Sequence, residues 1–160
     1  MINQGQPSTV LFHEVELNDR VLSELIRLSA DWEAENSSYG YRANERSDIE
    51  GNRIFLAEDN GEIIGYLFGK ISLSKNMRSI MPEGTPFFEV EEIYVIPSRR
   101  SQGVGERLFR LAENAVRPDA EYVVLSTATK NRKAIFHFYI DELGMEFWSA
   151  RLFKKIRPCE

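Results

Sequence analysis

The chain has 160 residues, of which 42% are hydrophobic and 28% charged, and its net charge at pH 7 is −5. These values predict one globular domain over residues 1–160, without an apolar run long enough to span a membrane. They argue against nucleic-acid binding, and two scattered histidines, His13 and His137, are too few to indicate a metal site. The N-terminus lacks a basic region followed by an apolar core, so a cytoplasmic location is expected.

The first third of the chain predicts a strand followed by helices. Ser8–Val15 has the composition of a strand, and Asn18 is a suitable helix cap. From Val21 to Trp32, apolar residues recur at helical spacing. The stretch 33–50 is polar and predicts only a short second helix.

A β-hairpin is predicted next. Arg53–Glu58 and Glu62–Lys70 are apolar strands on either side of Asp59-Asn60-Gly61, which is a strong turn signal. Glycine is unfavourable inside a strand, so Gly65 and Gly69 indicate a bulge or the close approach of another part of the chain.

The middle of the chain carries a candidate anion site. After a loop at Ser72–Pro86, the apolar strand Phe87–Ile96 runs through a proline into a turn at 100–105, RSQGVG, which opens an amphipathic helix ended by Pro118. Glycines let the backbone approach a ligand closely, and the first N–H groups of a helix point at it with the positive end of the helix dipole behind them. Arg100 can add a charged donor. The turn therefore predicts a site for a diphosphate group.

Three kinds of diphosphate loop compete for this turn. The P-loop pattern G-x-x-x-x-G-K-[ST] is absent from the chain, and the dinucleotide pattern G-x-G-x-x-G would need glycine where Leu108 stands. The run YVIPSRRSQGVGERLF, residues 94–109, instead fits Arg/Gln-x-x-Gly-x-Gly/Ala after a strand that ends in Val-x-Pro. It resembles the coenzyme A loop of the GNAT acetyltransferases.

A second segment at the expected distance strengthens this resemblance. Tyr122–Thr127 is predicted to be a strand, Asn131–Leu143 a helix ended by Gly144, and Trp148–Ile156 a last strand. The helix is similar to the family's pattern N-x-x-A-x-x-[FL]-Y-x-x-x-G-F. The resemblance is close over residues 87–144, and before them it concerns only the order of elements.

The resemblance implies an α/β (α+β) fold, with a mixed, mostly antiparallel central sheet that has splayed central strands and is flanked by helices. The predicted order, β-α-α-β-β-β-α-β-α-β, agrees with that fold except at its end. There the family usually has two strands, and the residues that remain in this chain predict one long strand or a very short hairpin. A sheet edge left open at that point could be covered in a homodimer.

The resemblance also implies acetyl-CoA as the cofactor. Its pantetheine arm would lie between Phe87–Ile96 and Tyr122–Thr127, with the pyrophosphate at the glycine turn. The residues expected to bind it are Val95, Ile96, Arg100, Ser101, Gln102, Gly103, Val104, Gly105 and Asn131.

Acetyl transfer to an amine needs a base, because an alkylamine is protonated at neutral pH. Relatives often use a glutamate on the strand before the glycine turn, and this strand carries Glu89, Glu91 and Glu92. Alternation places Glu89 and Glu91 on one face and Glu92 on the other. The resemblance favours Glu91 first and Glu89 second as catalytic residues, and the alternative is that both are solvated charges.

The departing thiolate then needs an acid, and the resemblance implies Tyr139. Phe138, however, stands where the family's tyrosine usually falls after Asn131. Tyr139 is thus one residue, or about 100° of helix, out of register. Either a helix bulge restores the register or Tyr139 is a core aromatic residue.

The predicted function is therefore acetyl-CoA-dependent N-acetylation of a primary amine. The acidic net charge favours a small cationic acceptor. Two alternatives stay open. One is a protein or peptide N-acetyltransferase, which would need an open groove, and the other is a non-catalytic acyl-CoA-binding sensor.

Overall fold

A computed structural model of the chain describes residues 9–157, and it confirms the predicted order of elements up to the last strand. The elements are β1 Leu11–Val15, α1 Asp19–Glu35, α2 Arg46–Ile49, β2 Arg53–Asp59, β3 Glu62–Leu73, β4 Pro86–Val95, α3 Val104–Val116, β5 Tyr122–Leu125 and α4 Arg132–Ala134. Ser8, which the first predicted strand included, lies outside the described residues. None of the helices within residues 9–157 has the length and apolar character that a membrane crossing requires.

The five strands form one sheet in the order β1-β2-β3-β4-β5. Only β4 and β5 run parallel, and the other neighbours are antiparallel. Because side chains alternate along a strand, the sheet buries two separate clusters. One contains Ile54 and packs against α1, and the other contains Phe55 and packs against α3. This mixed sheet with helices on both faces confirms the predicted fold class.

An asparagine caps each end of helix α1. The Oδ1 atom of Asn18 accepts a hydrogen bond from the N–H of Val21 at 2.9 Å, which confirms the predicted cap. The helix ends at Asn36, whose φ of 51° is left-handed. Its last turn carries Trp32 and Glu35 to the end of β4, where Glu35 contacts the sheet through Tyr94.

A β-bulge in β4 decides which way the glutamates of that strand point. Gly69 on β3 pairs with Val90, whereas the preceding residue, Phe68, pairs with Glu92, so Glu91 is an extra residue. A Cβ atom at Gly69 would lie 2.2 Å from the carbonyl oxygen of Glu89. Only glycine therefore fits beside the bulge.

The bulge corrects the predicted alternation. Before it, Val90 faces the cluster under α3, and after it Ile93 faces that same cluster, although the two residues are an odd number of positions apart. Glu92 consequently lies with Tyr94 on the α1 side of the sheet, and Glu91 is exposed. The face that was expected to hold Glu89 and Glu91 thus holds Glu89 and Glu92.

Strands β4 and β5 separate after four pairs. The last pair is Val90 with Leu125, and β4 continues to Val95 without β5. Beyond β5 the chain turns toward the loop that follows α1, where Thr129 forms an antiparallel bridge with Ser38. This second pairing draws the chain away from β4 and produces the predicted splay.

The last predicted helix is α-helical only in its first turn, α4. It continues as Ile135–Glu142 with the wider turns of a π-helix. The N–H of Leu143, for example, donates to the carbonyl of Phe138, five residues earlier, at 3.0 Å. Such turns accommodate an additional residue. The helix bulge, one of the two alternatives for the shifted position of Tyr139, is therefore present.

The last predicted strand, Trp148–Ile156, does not form, and this corrects the predicted element order. Residues 145–156 adopt neither helix nor strand, and Leu152 is 94% exposed. A strand needs a partner for its backbone N–H and C=O groups, and no strand within residues 9–157 pairs with this segment. Strand β5 is consequently the edge of the sheet.

Candidate active site

The divergence of β4 and β5 opens a cleft of about 510 Å³. Residues 91–95 of β4 form one of its sides, and residues 125–129 form the other. Trp32 and Tyr41 line it from α1 and the loop after that helix, and Tyr139 lines it from the π-helical segment. The cleft thus joins the end of α1, the bulged strand, the glycine turn and the last helix.

The turn before α3 has the geometry of an anion site. Ser101 and Gly103 have left-handed φ values of 60° and 79°, which curl the chain ahead of the helix. No side chain of residues 9–157 caps α3. The first helical N–H that bonds back to the turn is that of Arg107, which donates to the Gly103 carbonyl at 3.1 Å. The N–H groups of Val104–Glu106 are left for a ligand. A diphosphate fits them in charge and in hydrogen-bonding capacity.

The residues predicted to contact the pantetheine arm contribute unequally. Val95 and Asn131 line the cleft. Both backbone groups of Ile96 are already used, because its N–H donates to Ile64 and its carbonyl accepts from the N–H of Arg99, each at 3.0 Å. The N–H of Ile96 is therefore not free for a ligand, whereas its carbonyl can accept a second hydrogen bond, and its cofactor contact stays a prediction.

Arg100 lines the cleft with a guanidinium that is already engaged. Its Nη2 donates to both carboxylate oxygens of Glu35 at 2.9 Å, and its Nε donates to the carbonyl of Val95 at 2.8 Å. Glu35 also accepts a hydrogen bond from the Tyr94 hydroxyl at 2.6 Å. These hydrogen bonds connect the glycine turn to the last turn of α1.

The two glutamates predicted as the base occupy different places. Glu91 is the bulged residue, and its carboxylate lies 3.2 Å from the Nζ atom of Lys70. It borders the cleft and also a second cavity of about 310 Å³ beside residues 47–52. Glu89 pairs with Val124 below the point where the strands separate and does not line the cleft. The fold therefore brings Glu91, but not Glu89, to the cleft.

Glu92 is the glutamate that the alternation had placed on the wrong face. Its Oε2 atom accepts hydrogen bonds from the Tyr66 hydroxyl at 2.8 Å, the Asn44 side-chain amide at 2.9 Å and the Tyr41 hydroxyl at 3.2 Å. Its Oε1 atom accepts no hydrogen bond from the side chains and backbone of residues 9–157. Three donors thus hold one oxygen of a carboxylate whose residue lines the cleft.

Burial raises the pKa of Glu92 above the ordinary value of a glutamate, and hydrogen bonds from Asn44, Tyr66 and Tyr41 partly oppose the rise. A carboxylate with a raised pKa binds a proton more strongly and is a better base near neutral pH. Burial and the charge of Glu92 also raise the pKa of Tyr41 and of Tyr66, so both hydroxyls remain donors.

Tyr139 lines the cleft from the π-helical segment. Burial raises the pKa of its hydroxyl, and a hydrogen bond with Thr127 partly opposes that rise. The hydroxyl is therefore protonated at neutral pH and can donate a proton. The geometry is compatible with an acid, and the role of Tyr139 stays a prediction.

Aromatic rings form the α1 side of the cleft. Trp32 stacks on Tyr41 with 4.1 Å between ring centroids and on Tyr94 with 5.2 Å. Together with the carboxylates of Glu91 and Glu92, which also line the cleft, these rings make a wall of the kind that binds cations. Among the described residues that line the cleft, Arg100 is the one cation, and its guanidinium is already paired.

Comparison with known proteins gives matches at the level of family and fold. Residues 20–145 match the model of the acetyltransferase (GNAT) family. The chain is 30% identical over 123 residues to the aminoalkylphosphonate N-acetyltransferase of Salmonella typhimurium. The aligned region covers 76% of this chain and 73% of that protein.

Solved structures with similar folds include two aminoglycoside acetyltransferases. One is meta-AAC0020 from an uncultured soil metagenomic sample, in complex with trehalose, with a TM-score of 0.67, 15% identity and coverage of 94% of this chain and 99% of that one. The other is AAC(6')-Iy in complex with CoA, with a TM-score of 0.61, 19% identity and coverage of 92% of this chain and 99% of that one. At these identities the two structures support the fold alone.

Proposed function

This chain belongs to the acetyltransferase (GNAT) family and is an acetyl-CoA-dependent N-acetyltransferase, and from that premise we propose that it acetylates a small cationic amine in the cleft between β4 and β5. The observation that carries this proposal is the carboxylate of Glu92, which lines the cleft and which three donors hold through Oε2 alone. Acetyl-CoA supplies the acetyl group as a thioester. The first N–H groups of α3, together with Val95 and Asn131, would hold it.

The charge of the cleft supports a cationic acceptor. An ammonium group can lie against the rings of Trp32 and Tyr41 and beside the carboxylate of Glu92. The Salmonella relative is named for an aminoalkylphosphonate, which carries an acidic group besides its amine. In this cleft Arg100 would have to meet that acidic group, and Glu35 already occupies its guanidinium. We therefore expect an acceptor without an acidic group to be preferred.

Glu92 acts as the base in this proposal. Its Oε1 atom takes a proton from the bound ammonium group, which frees the nitrogen lone pair for attack on the acetyl carbon. Glu91, which the resemblance ranked first, becomes the second candidate, because it reaches the cleft but is exposed and paired with Lys70. Glu89, which the resemblance ranked second, becomes the third, because it lies below the cleft. Tyr139 donates its proton to the departing sulfur, and the second proton, which the nitrogen releases as the amide forms, restores the Tyr139 hydroxyl.

The acid role of Tyr139 predicts a loss of turnover in a variant without its hydroxyl. Tyr139→Phe should lower kcat about 10–100-fold with little change in KM for the amine, since proton donation is needed only as the thiolate departs. Steady-state kinetics of the purified variant would measure this. Tyr39→Phe is the matched control, because Tyr39 also lines the cleft with a hydroxyl and has no assigned proton transfer. Equal kinetics of Tyr139→Phe and the unaltered protein would leave Tyr139 as a core aromatic residue.

The choice of acceptor can be tested with a matched pair of amines. Release of free coenzyme A thiol would be followed with acetyl-CoA and either a short diamine or the aminoalkylphosphonate of the same chain length. We expect kcat/KM to be at least about tenfold higher for the diamine, a difference of about 1.4 kcal/mol in the barrier. A preference for the phosphonate would overturn the cationic acceptor.

Acetyl-CoA binding is measured separately, by thermal unfolding. At about a hundredfold excess over the dissociation constant, acetyl-CoA should raise the free energy of unfolding by about 2.7 kcal/mol. ATP and NADH serve as controls and should give no comparable rise. Binding of acetyl-CoA without turnover of any amine or peptide would favour the non-catalytic sensor instead.

A further inference from the structure

Glu35 stands at a position where a helix disfavours negative charge. It is the last residue of α1, and the last turn of that helix contains no basic residue. The carbonyl groups at the C-terminus of a helix carry partial negative charge, so a carboxylate beside them is unfavourable. Water does not offset this charge fully, because only 21% of the Glu35 side chain is exposed. Residues that break a local rule in this way are expected at functional sites.

The compensating charge comes from the glycine turn, 65 positions further along the chain. Besides the hydrogen bonds from Nη2 to Glu35 and from Nε to the carbonyl of Val95, the guanidinium of Arg100 lies 5.3 Å from the centroid of the Tyr94 ring. The hydroxyl of that same tyrosine donates to Glu35. Arg100 is therefore held in one place, although 43% of its side chain is exposed.

These contacts leave one nitrogen of the guanidinium for a ligand. The Nη1 atom of Arg100 donates to no group within residues 9–157. Arg100 lines the cleft, whereas its partner Glu35 does not. Arginine recognises phosphate groups through such N–H donors. A diphosphate at the first N–H groups of α3 would lie at the same turn, so the remaining donors of Arg100 are suited to it.

We propose that Glu35 is a positioning residue for the cofactor, which holds Arg100 so that its Nη1 donors meet a phosphate group of acetyl-CoA. An exposed arginine that nothing holds loses rotamer freedom when it binds a ligand, and this loss weakens binding. Glu35 restricts Arg100 before the cofactor arrives, so most of that loss no longer accompanies binding. The inference rests on the cofactor site at the glycine turn, but it does not depend on the identity of the amine.

Calorimetric titration with acetyl-CoA, in the absence of any amine, tests this role. Glu35→Ala should weaken the binding of acetyl-CoA about tenfold, the order of the cost of ordering one arginine side chain. Arg100→Ala should weaken it at least as much. In an Arg100→Ala background, Glu35→Ala should have no further effect, because Glu35 acts through Arg100. Unchanged or tighter binding in Glu35→Ala, or a full additional loss in the double variant, would overturn the proposal.

The neighbouring arginine offers a matched control. Arg99 donates to the carboxylate of Asp59 at 2.7 Å, so the glycine turn is preceded by a second ion pair. Arg99 does not line the cleft. Asp59→Asn removes a carboxylate from an arginine pair just as Glu35→Ala does, and it should leave the affinity for acetyl-CoA unchanged. An equal loss of affinity in both variants would mean that either pair merely supports the turn, and it would overturn the special role of Glu35.

Acetyl-pantetheine separates positioning of Arg100 from a general effect on the cleft. It has the thioester and the pantetheine arm of acetyl-CoA but lacks the phosphate groups. Glu35→Ala should raise KM for acetyl-CoA about tenfold with kcat nearly unchanged, and it should leave kcat/KM for acetyl-pantetheine within about twofold. An equal loss with both thioesters would mean that Glu35 supports the wall of the cleft, and it would overturn the proposal. Binding of acetyl-CoA as expected, without turnover of any amine, would contradict the proposed function and leave the titration result for Glu35 in force.

Discussion

Replacing Glu92 by glutamine is expected to lower kcat about 10²–10⁴-fold, the range that a positioned general base contributes. The glutamine carbonyl can still accept the hydrogen bonds from Tyr66, Asn44 and Tyr41, so the wall of the cleft should stay in place. What disappears is the second carboxylate oxygen, the proposed acceptor of the proton. Steady-state kinetics, together with an unchanged thermal shift by acetyl-CoA, would separate this chemical loss from a loss of structure.

The matched controls are Glu91→Gln and Glu89→Gln. If Glu92 is the base, each control should keep kcat within a few-fold of the unaltered protein. A large loss in Glu91→Gln with full activity in Glu92→Gln would instead select the bulged residue as the base. Each of the three variants removes one carboxylate from the same strand, so the comparison differs only in where the carboxylate lies.

The pH dependence of kcat/KM gives an independent check on the base. Only the ionised form of Glu92 accepts a proton, and burial raises its pKa above 4.5. Activity should therefore fall as the pH is lowered through that raised pKa, at a higher pH than an ordinary glutamate would produce.

The contribution of Glu92 to stability should change with pH in the direction opposite to activity: it should rise as the pH is lowered. A raised pKa means that the fold disfavours the charged carboxyl, so protonation of Glu92 stabilises the native state relative to the unfolded one. At pH 7 the variant Glu92→Gln should therefore be as stable as the unaltered protein or more stable. The difference in melting temperature should shrink as the pH falls through the raised pKa, because the unaltered carboxyl then becomes neutral. A gap that widens at low pH would contradict this assignment.

The second large effect is expected from Gly69→Ala. Its Cβ atom would lie 2.2 Å from the carbonyl oxygen of Glu89 and 2.9 Å from the ring of Phe88, so β3 and β4 must move apart. Overpacking of this kind costs about 3 kcal/mol or more. For a domain of this size the melting temperature should fall by about 6–12 °C. Turnover of the folded fraction should fall as well, because the bulge that aims Glu92 at the cleft depends on this contact.

Gly51→Ala separates the clash from the cost of backbone conformation. Gly51 has a left-handed φ of 80°, and a Cβ atom there would meet nothing within 4 Å. Its replacement should cost only about 1–2 kcal/mol, the penalty of a left-handed residue with a side chain. If both variants lost the same stability, the structure would have to accommodate the Cβ atom at Gly69 without displacing β4. That result would contradict the prediction.

The parts of the fold that depend on residues close together in the chain could be predicted from the sequence. The Asn18 cap and the turn at Asp59-Asn60-Gly61 act within a few residues, and the structure confirms both elements. The glycine turn before α3 is also a local signal, because its glycine and the exposed N–H groups that follow it are adjacent in the chain.

The remaining features depend on partners that are distant in the chain. Gly69 did signal a bulge or a close approach, but the extra residue lies in the neighbouring strand, and its position decides whether Glu91 or Glu92 faces the α1 side. Alternation counted along β4 alone could not reveal this. Trp148–Ile156 has the composition of a strand, but it lacks a neighbour within the described chain.

The divergence of β4 and β5 also bears on aggregation. Residues 91–95 leave backbone groups unpaired in the interior of a sheet, and exposed groups of this kind act as templates on which foreign strands polymerise. Here the unpaired side of β4 lies in the cleft, which the rings of Trp32, Tyr41 and Tyr139 also line. A foreign strand brings side chains of its own, and these would need the space that the rings occupy. We therefore expect the cleft to admit a slender ligand but to hinder the addition of a whole strand at this side of β4.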